Sequence, residues 1–355
     1  MPSEAVHHQS RSCLLFESPD KTIVLIDIPR SIEEAQLSPG QAIKRHIISC
    51  SPVEIPWKTP EPKKALSRSA SCSAAIAELM TLEIVKAALQ NIKHNYEEPW
   101  CLPRMLTNTN KASSDVLPLK ESHKRKQSSD EQEIDVVPAE PYIPHQSRYL
   151  LGSIDAQRGT FLADAPMFDL VVLDPPWPSR SVRRKQNSYT IAYGMQEARD
   201  LLTQIPVASH LKPDGLVAIW VTNKAAATDL LTSPGGIFSD WGVEFVGEWI
   251  WLKITKTGDP VIDVEAQWRK PWERLLLGRK RGGMSKAPIP TKVIMGVPDV
   301  HSRKPNLKPL FPDILPANYN GLEVFARNLT SGWWSWGNQV LYFQQRHHWV
   351  EIDYE

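Results

Sequence analysis

Cysteine is scarce in this chain: four residues in 355, Cys13, Cys50, Cys72 and Cys101, far apart and confined to the first third. No C-x-x-C pair exists to build a zinc ribbon, and the spacing offers no disulfide framework. Long hydrophobic runs are missing too. No apolar stretch reaches membrane-spanning length, and the polar start MPSEAVHHQSRS does not resemble a secretory leader, so the expectation is an intracellular chain with no membrane association. Charge of one sign is nearly absent, the formal net charge being +1. That removes any expectation of tight nonspecific binding to polyanions and leaves local basic patches to decide the matter. There is no internal repeat, no P-loop, no G-x-S-x-G elbow and no G-x-G-x-x-G turn. The histidine pairs His7-His8 and His347-His348 lack Cys or Glu at ligand spacing, and no metal is expected.

What remains is a chain of globular composition, 41% hydrophobic and 23% charged, whose length suggests about two domains. Its texture changes near residue 145. Residues 1–145 carry a strand at 22–28 and a helix at 74–92, where Ile76, Leu79, Met80, Ile84, Leu89 and Ile92 recur at near-helical spacing. The Pro-, Ser- and Lys-rich stretch 51–73 and the polar tract 111–135 read as linkers, making this a smaller, partly disordered N-terminal region with a possible accessory or substrate-binding role. The basic run His123-Lys124-Arg125-Lys126 is a candidate nuclear import signal, with a solvated linker as the plainer reading. From 146 to 355 the chain is denser and holds eleven of the 13 tryptophans. Strand-like runs at 168–173, 216–221, 243–252, 274–277, 292–297 and 322–326 alternate with helix-compatible segments at 196–204, 224–231 and 339–345. That alternation predicts an α/β fold: an open, mainly parallel sheet with helices on both faces, binding ligands at the carboxyl ends of its strands.

At the end of the first of these strands the sequence reads FDLVVLDPPW. Two prolines stop the strand and hold the chain in a stiff, extended course, leaving Asp174 at the strand end with Trp177 just beyond. A carboxylate, stiff peptide carbonyls and an aromatic face suit a flat molecule that bears an amine, such as adenine. The exocyclic nitrogen of adenine is a poor nucleophile because its lone pair is delocalised into the ring. Asp174 and a carbonyl of Pro175 or Pro176 can accept both amine hydrogens and aim the lone pair at an incoming methyl group. The rigidity matters, since misplacing a reacting atom by an ångström costs about 100-fold. Trp177 is expected to stack on the base, and a nearby carboxylate stabilises the positive charge that develops on the amine.

Asp-Pro-Pro-Trp after a buried strand is similar to the signature of the eukaryotic adenine-N6 methyltransferase family. The stretches WVTNK (220–224), EWIWLKITKTG (248–258), KPWERLLLGR (270–279), HSRKPNL (301–307), LEVFARNL (322–329) and GWWSWGNQVL (332–341) resemble its methyltransferase-like 4 branch, from residue 149 to residue 344. The resemblance implies a Rossmann-like sheet that binds S-adenosylmethionine, with Asp174, Lys304, Glu323, Arg327, Asn328, Asn338 and Gln339 around the cofactor. Asp155, with Asp164 as its competitor, is the acidic residue before the catalytic strand. Glu273 and Trp177 are expected near the substrate adenine, and Arg183, Arg184, Lys185 and Tyr189 on a loop closing over nucleic acid. Each has a plainer rival: a strand-end turn for Asp174, core packing for Trp177, a structural ion pair for Glu323 and Arg327, a solvated loop for Lys304 and for the basic run. Trp333, Trp334 and Trp336 are assigned to packing. The implied substrate is RNA, a small nuclear RNA adenosine already bearing a 2′-O-methyl group, in the nucleus, with the cytoplasm left open. DNA adenine, or a catalytically silent nucleic-acid-binding scaffold, is the alternative. A monomer suffices on this reading, and a partner subunit stays open.

Overall fold

In the computed structural model, residues 12–58, 72–106, 140–178, 194–266, 269–285 and 287–352 are described. Ten strands form one mixed sheet. In chain order they are β1 (Leu14–Glu17), β2 (Ile23–Ile26), β4 (Arg148–Leu151), β5 (Phe168–Leu173), β6 (Leu211–Val221), β7 (Val243–Lys253), β8 (Trp272–Lys280), β9 (Lys292–Gly296), β10 (Gly321–Val324) and β11 (Trp334–Gly337). A second, two-stranded sheet pairs β3 (Arg45–Ile47) with β12 (Trp349–Glu351). The spatial order of the large sheet is β1-β2-β9-β7-β8-β6-β5-β10-β11-β4. Most neighbours run parallel, as the alternation of strand and helix predicts, while β8 runs antiparallel to both β6 and β7. That reversal brings the first residues of β8 to the side where the parallel strands end: Glu273 pairs with Trp251 and Arg274 with Val221.

The centre of the sheet is buried on both faces, and β5 shows why a continuous apolar run was needed there. Val171 and Leu173 point into a cluster with Phe161, Leu202, Leu231 and Trp336, beneath α3 (Ile154–Asp164), α4 (Met195–Thr203), α5 (Val207–His210), α6 (Ala225–Thr232) and α7 (Ile237–Asp240). Leu170 and Val172 point the other way, toward Leu307, Phe311 and Trp333 on irregular chain. Farther along that sheet, Leu252, Val293 and Met295 form a cluster with Val85, Ala88 and Ile92 of α2 (Cys72–Asn95).

Several expectations change here. The composition shift at 145 does not mark a break in the sheet, because β1 pairs with β2 and β2 with β9. The predicted strand at 22–28 ends early: Asp27 caps α1 (Ile28–Ala35), its carboxylate accepting from the Arg30 amide. In α2 the inward stripe is Thr81, Val85, Ala88 and Ile92, whereas Ile76, Leu79, Met80 and Ile84 are exposed. The helix is apolar on more than one side, so periodicity alone does not pick out its buried face: of the residues at that spacing only Ile92 is buried and Leu89 half-buried. The segment 339–345 makes only a single 3₁₀ turn, Tyr342–Gln344. Among the described residues no helix is long and apolar enough to cross a membrane.

Candidate active site

Asp174 leaves β5 where β10 and β6 flank it, and its amide points to the Val324 carbonyl at 3.4 Å. The next residues turn tightly: the Trp177 amide donates to the Pro175 carbonyl at 2.8 Å. That engages one lone pair of the Pro175 oxygen and leaves the second for another donor. Trp177 is a correction to the expectation of a stacking face. It is 8% exposed, packs in the core beneath the helices and donates its indole N–H to the Trp220 carbonyl at 2.7 Å, so it anchors the turn.

The Asp174 carboxylate opens into a hollow lined by Trp220, Lys304, Glu323, Phe325, Arg327 and Asn328, among others. A chain of alternating charge starts from two of its lining residues, Asp174 and Lys304. Lys304 Nζ lies 3.1 Å from Asp174 Oδ2 and 3.1 Å from Glu273 Oε2, and Glu273 Oε1 takes Lys253 at 2.5 Å. The two ammonium groups also lie over aromatic rings, Lys253 4.7 Å from the Trp251 centroid and Lys304 5.6 Å from that of Trp220. Lys253, Trp220 and Trp251 were not singled out from the sequence. The usable signal was the alternation in EWIWLK, which sends Trp251 and Lys253 to one face of β7.

Burial is the largest influence on Asp174 and pushes its carboxyl above the ordinary range, Lys304 opposing it only in part. Burial also disfavours ionisation of Glu273, but Lys304 and Lys253 outweigh it and hold that group at about 2. Lys304 is driven up, against its own burial, by Asp174 and Glu273. Glu323 has no cation to offset burial and the nearby Asp174, and it rises to about 8. It is therefore largely protonated at neutral pH. No ion pair joins it to Arg327, whose guanidinium lies over the rings of Tyr342 and Phe343, 4.7 and 5.0 Å from their centroids.

Lys304 is held by buried scaffolding. Asp299 forms an ion pair with Arg303, and the Arg303 guanidinium donates to the Ile48 carbonyl at 2.9 Å. Arg104, from the N-terminal part of the chain, donates to the carbonyls of Val297, Pro298 and Cys50. The loop bearing Lys304 is thus clamped by residues that composition had assigned to a separate region.

A second hollow lies beside the first, lined by Gly152, Ser153, Ile154, Pro176, Leu201, Phe325, Ala326, Gly337, Asn338 and Gln339. Here β4 and β11 end, the Gly152 amide facing the Gly337 carbonyl at 3.3 Å. A Cβ on Gly337 would meet the Ala326 carbonyl at 3.0 Å, so the two chain segments approach closely only because that residue is glycine. Phe325 lines both hollows and holds φ at +62°, a costly conformation for a bulky residue.

Gln339 Oε1 is buried and has no hydrogen-bond partner. An orphaned acceptor in a hollow next to a carboxylate and two cations fits a ligand with hydroxyl or amine donors at one end and a zwitterionic group at the other. Asp155 and Asp164 separate clearly. Asp155 is exposed in the first turn of α3, beside the wall formed by Gly152 to Ile154, and Asp164 closes the far end of the same helix. Arg183, Arg184, Lys185 and Tyr189 lie outside the described residues. Among the described residues no cluster of three or more His, Cys, Asp or Glu could hold a metal ion.

Residues 168–339 match the MT-A70 family. The chain is 46% identical to the N6-methyladenosine RNA methyltransferase MTA1 of Cryphonectria parasitica, over 98% of this chain and 97% of that protein. It is 43% identical to the protein of the same name from Pyricularia oryzae, over 95% and 96%. The N(6)-adenine-specific methyltransferase METTL4 of Homo sapiens is 35% identical over 59% of this chain and 45% of its own length. This chain belongs to the MT-A70 family.

Proposed function

We propose that this protein transfers a methyl group from S-adenosylmethionine to the N6 amine of adenine in RNA, with Asp174 as the residue that orients the amine. The observation carrying the reading is an intact Asp-Pro-Pro turn whose carboxylate opens into a hollow, beside a second hollow containing an unpartnered amide oxygen. RNA is favoured over DNA because both relatives that align along nearly the whole chain are named as RNA methyltransferases.

The bound cofactor supplies an electrophilic methyl group on a sulfonium. The chain's own residues do the rest. Asp174 Oδ and a carbonyl of Pro175 or Pro176 accept the two amine hydrogens, and the stiffness of the turn fixes the direction of the nitrogen lone pair. Because burial raises its pKa, Asp174 is a better proton acceptor than an exposed aspartate, and its charge stabilises the cation developing on the amine. Lys304 balances that charge until the amine arrives and is the cation available to a cofactor carboxylate. Asn338 and Gln339 offer amide groups to ribose and adenine. Glu273, ionised and held between two lysines, faces the substrate side, and the protonated Glu323 adds no second negative charge beneath Asp174.

The test is incubation with labelled cofactor and matched RNA and DNA oligonucleotides, one RNA carrying a 2′-O-methyladenosine target, with wild type beside Asp174→Ala. Label on the RNA adenine that vanishes in the variant is the expected result. Label on DNA alone overturns the substrate assignment. Absence of cofactor binding in the micromolar range by titration calorimetry favours a silent scaffold.

A further inference from the structure

We propose that the cation-aromatic ladder on the C-terminal turns, built by Tyr342, Arg346 and His347 with Arg45 opposite, is a docking track for the single RNA strand flanking the target adenosine. The proposal rests on the RNA reading above and adds a surface outside the two hollows.

The ladder begins at the hollow's wall. Phe343 lines it, with Arg303 4.3 Å and Arg327 5.0 Å from its ring centroid. Tyr342 follows, its ring 4.8 Å from Phe343 and 5.0 Å from His348, and His347 lies 4.2 Å beyond His348. Phe343 is buried, but Tyr342 is 42% exposed and His347 is open to solvent, so the outer rungs present rings outward. One residue away, Arg346 and Arg45 lie over the ring of Tyr142 at 4.8 and 3.7 Å from its centroid.

Neither arginine has a carboxylate partner among the described residues. Arg346 spends only its Nε, on the Glu140 carbonyl at 2.9 Å. Glu351, opposite Arg45 in the pairing of β3 with β12, keeps its charge but turns its carboxylate to the Tyr142 hydroxyl at 3.0 Å, and Glu33 accepts from the Ile47 amide and faces His46. Two like charges held around one ring, with no ion pair to either among the described residues, suit an anion that bridges them, and a phosphodiester supplies it. Exposed rings spaced beside such a pair match the stacking platform and electrostatic groove by which proteins track single strands. An acidic protein segment would satisfy the arginines but would leave the exposed rings unused.

The experiment measures binding of a 12-nucleotide RNA to the full chain across a salt series, with cofactor affinity, melting temperature and methylation kinetics in parallel. Arg45→Gln with Arg346→Gln should lower affinity about 10-fold near physiological salt and reduce the slope of log K against log salt by about 1.4, two phosphates' worth for a single strand. Tyr342→Ala should lower affinity about 5- to 10-fold with the slope unchanged, and Tyr342→Trp should restore it. KM for RNA rises in the double arginine variant and in Tyr342→Ala while kcat holds, and cofactor affinity holds in the double arginine variant, which leaves the Tyr342 ring under Arg327 in place. Wild-type affinity and slope in both variants overturn the proposal and leave this face to a protein partner. A loss that Trp does not rescue and that follows the melting temperature overturns it in favour of packing. A wild-type chain that binds RNA through these residues without methylating it would refute the enzymatic reading alone.

Discussion

The two hollows at the strands' carboxyl ends share the Phe325 ridge and differ in almost every other respect. The first is wired with ion pairs: Asp174 and Lys304 pair in its wall, and Lys304 is tied in turn to Glu273 and Glu273 to Lys253. The second is lined by glycine, proline, aliphatic groups and two amides, with Gln339 Oε1 left without a donor. In the charged hollow a ligand at Lys304 must displace its salt bridge to Asp174, although Arg327 Nε there is also buried without a partner. The neutral hollow is preformed by backbone close approach and has a polar vacancy that a ligand can fill at no such cost. On the proposed function, chemistry that stabilises charge falls to the first and recognition of a neutral nucleoside to the second.

This contrast can be broken most sharply at Asp174. Asp174→Asn removes the charge and keeps the shape, and methylation should fall by about 10³-fold in single-turnover assays while the fold persists. Lys304→Met should come next in effect. It leaves the buried Asp174 without its cation and Glu273 with Lys253 alone, and about 3–5 kcal/mol of stability should be lost in urea titrations at pH 7. A smaller loss would mean that water already screens the pair. Gln339→Ala tests the neutral hollow: cofactor Kd should rise by about 5- to 10-fold with little change in stability, the value of one hydrogen bond to an otherwise unpaired acceptor.

The two glutamates of the charged hollow should separate by pH. Glu323 sits near 8 when folded against an ordinary 4.5, so the native state holds an extra proton between those values, and its contribution to stability declines as pH rises through that window. Glu323→Gln should flatten this decline. Glu273, at about 2 when folded, contributes stability above its ordinary 4.5 that is lost as pH falls toward 2. Glu273→Gln should remove that acid-side loss. Melting temperatures across pH 3 to pH 9 would show both, and parallel curves for the two variants would refute the opposite environments assigned to them.

Much of this was legible in the sequence, and the limits have physical causes. The strand at 168–173 was read with its true bounds because an unbroken apolar run ended by two prolines has one sensible conformation. β4 and α3 escaped notice: RYLL is short and only Leu150 of it is buried, and α3 contains a glycine and buries only Ile154 and Phe161. α2 was legible as a helix but its buried face was not, because both of its sides carry apolar residues. Lys304 and Glu273 were named, but their ion pair was not, since they stand 31 positions apart in the chain with β9 between them.

The sequence alone determined the alternation of strand and helix, the stiff carboxylate-bearing turn at Asp174 and the order of the motifs around it, because these depend on neighbouring residues and on backbone sterics. Only the tertiary structure decided that β8 runs backward to deliver Glu273 to Lys304, that Trp177 faces the core, and that Arg104 clamps the loop carrying Lys304. Those outcomes come from the pairing of distant strands and from burial shared across the sheet, where the energy depends on which surfaces meet.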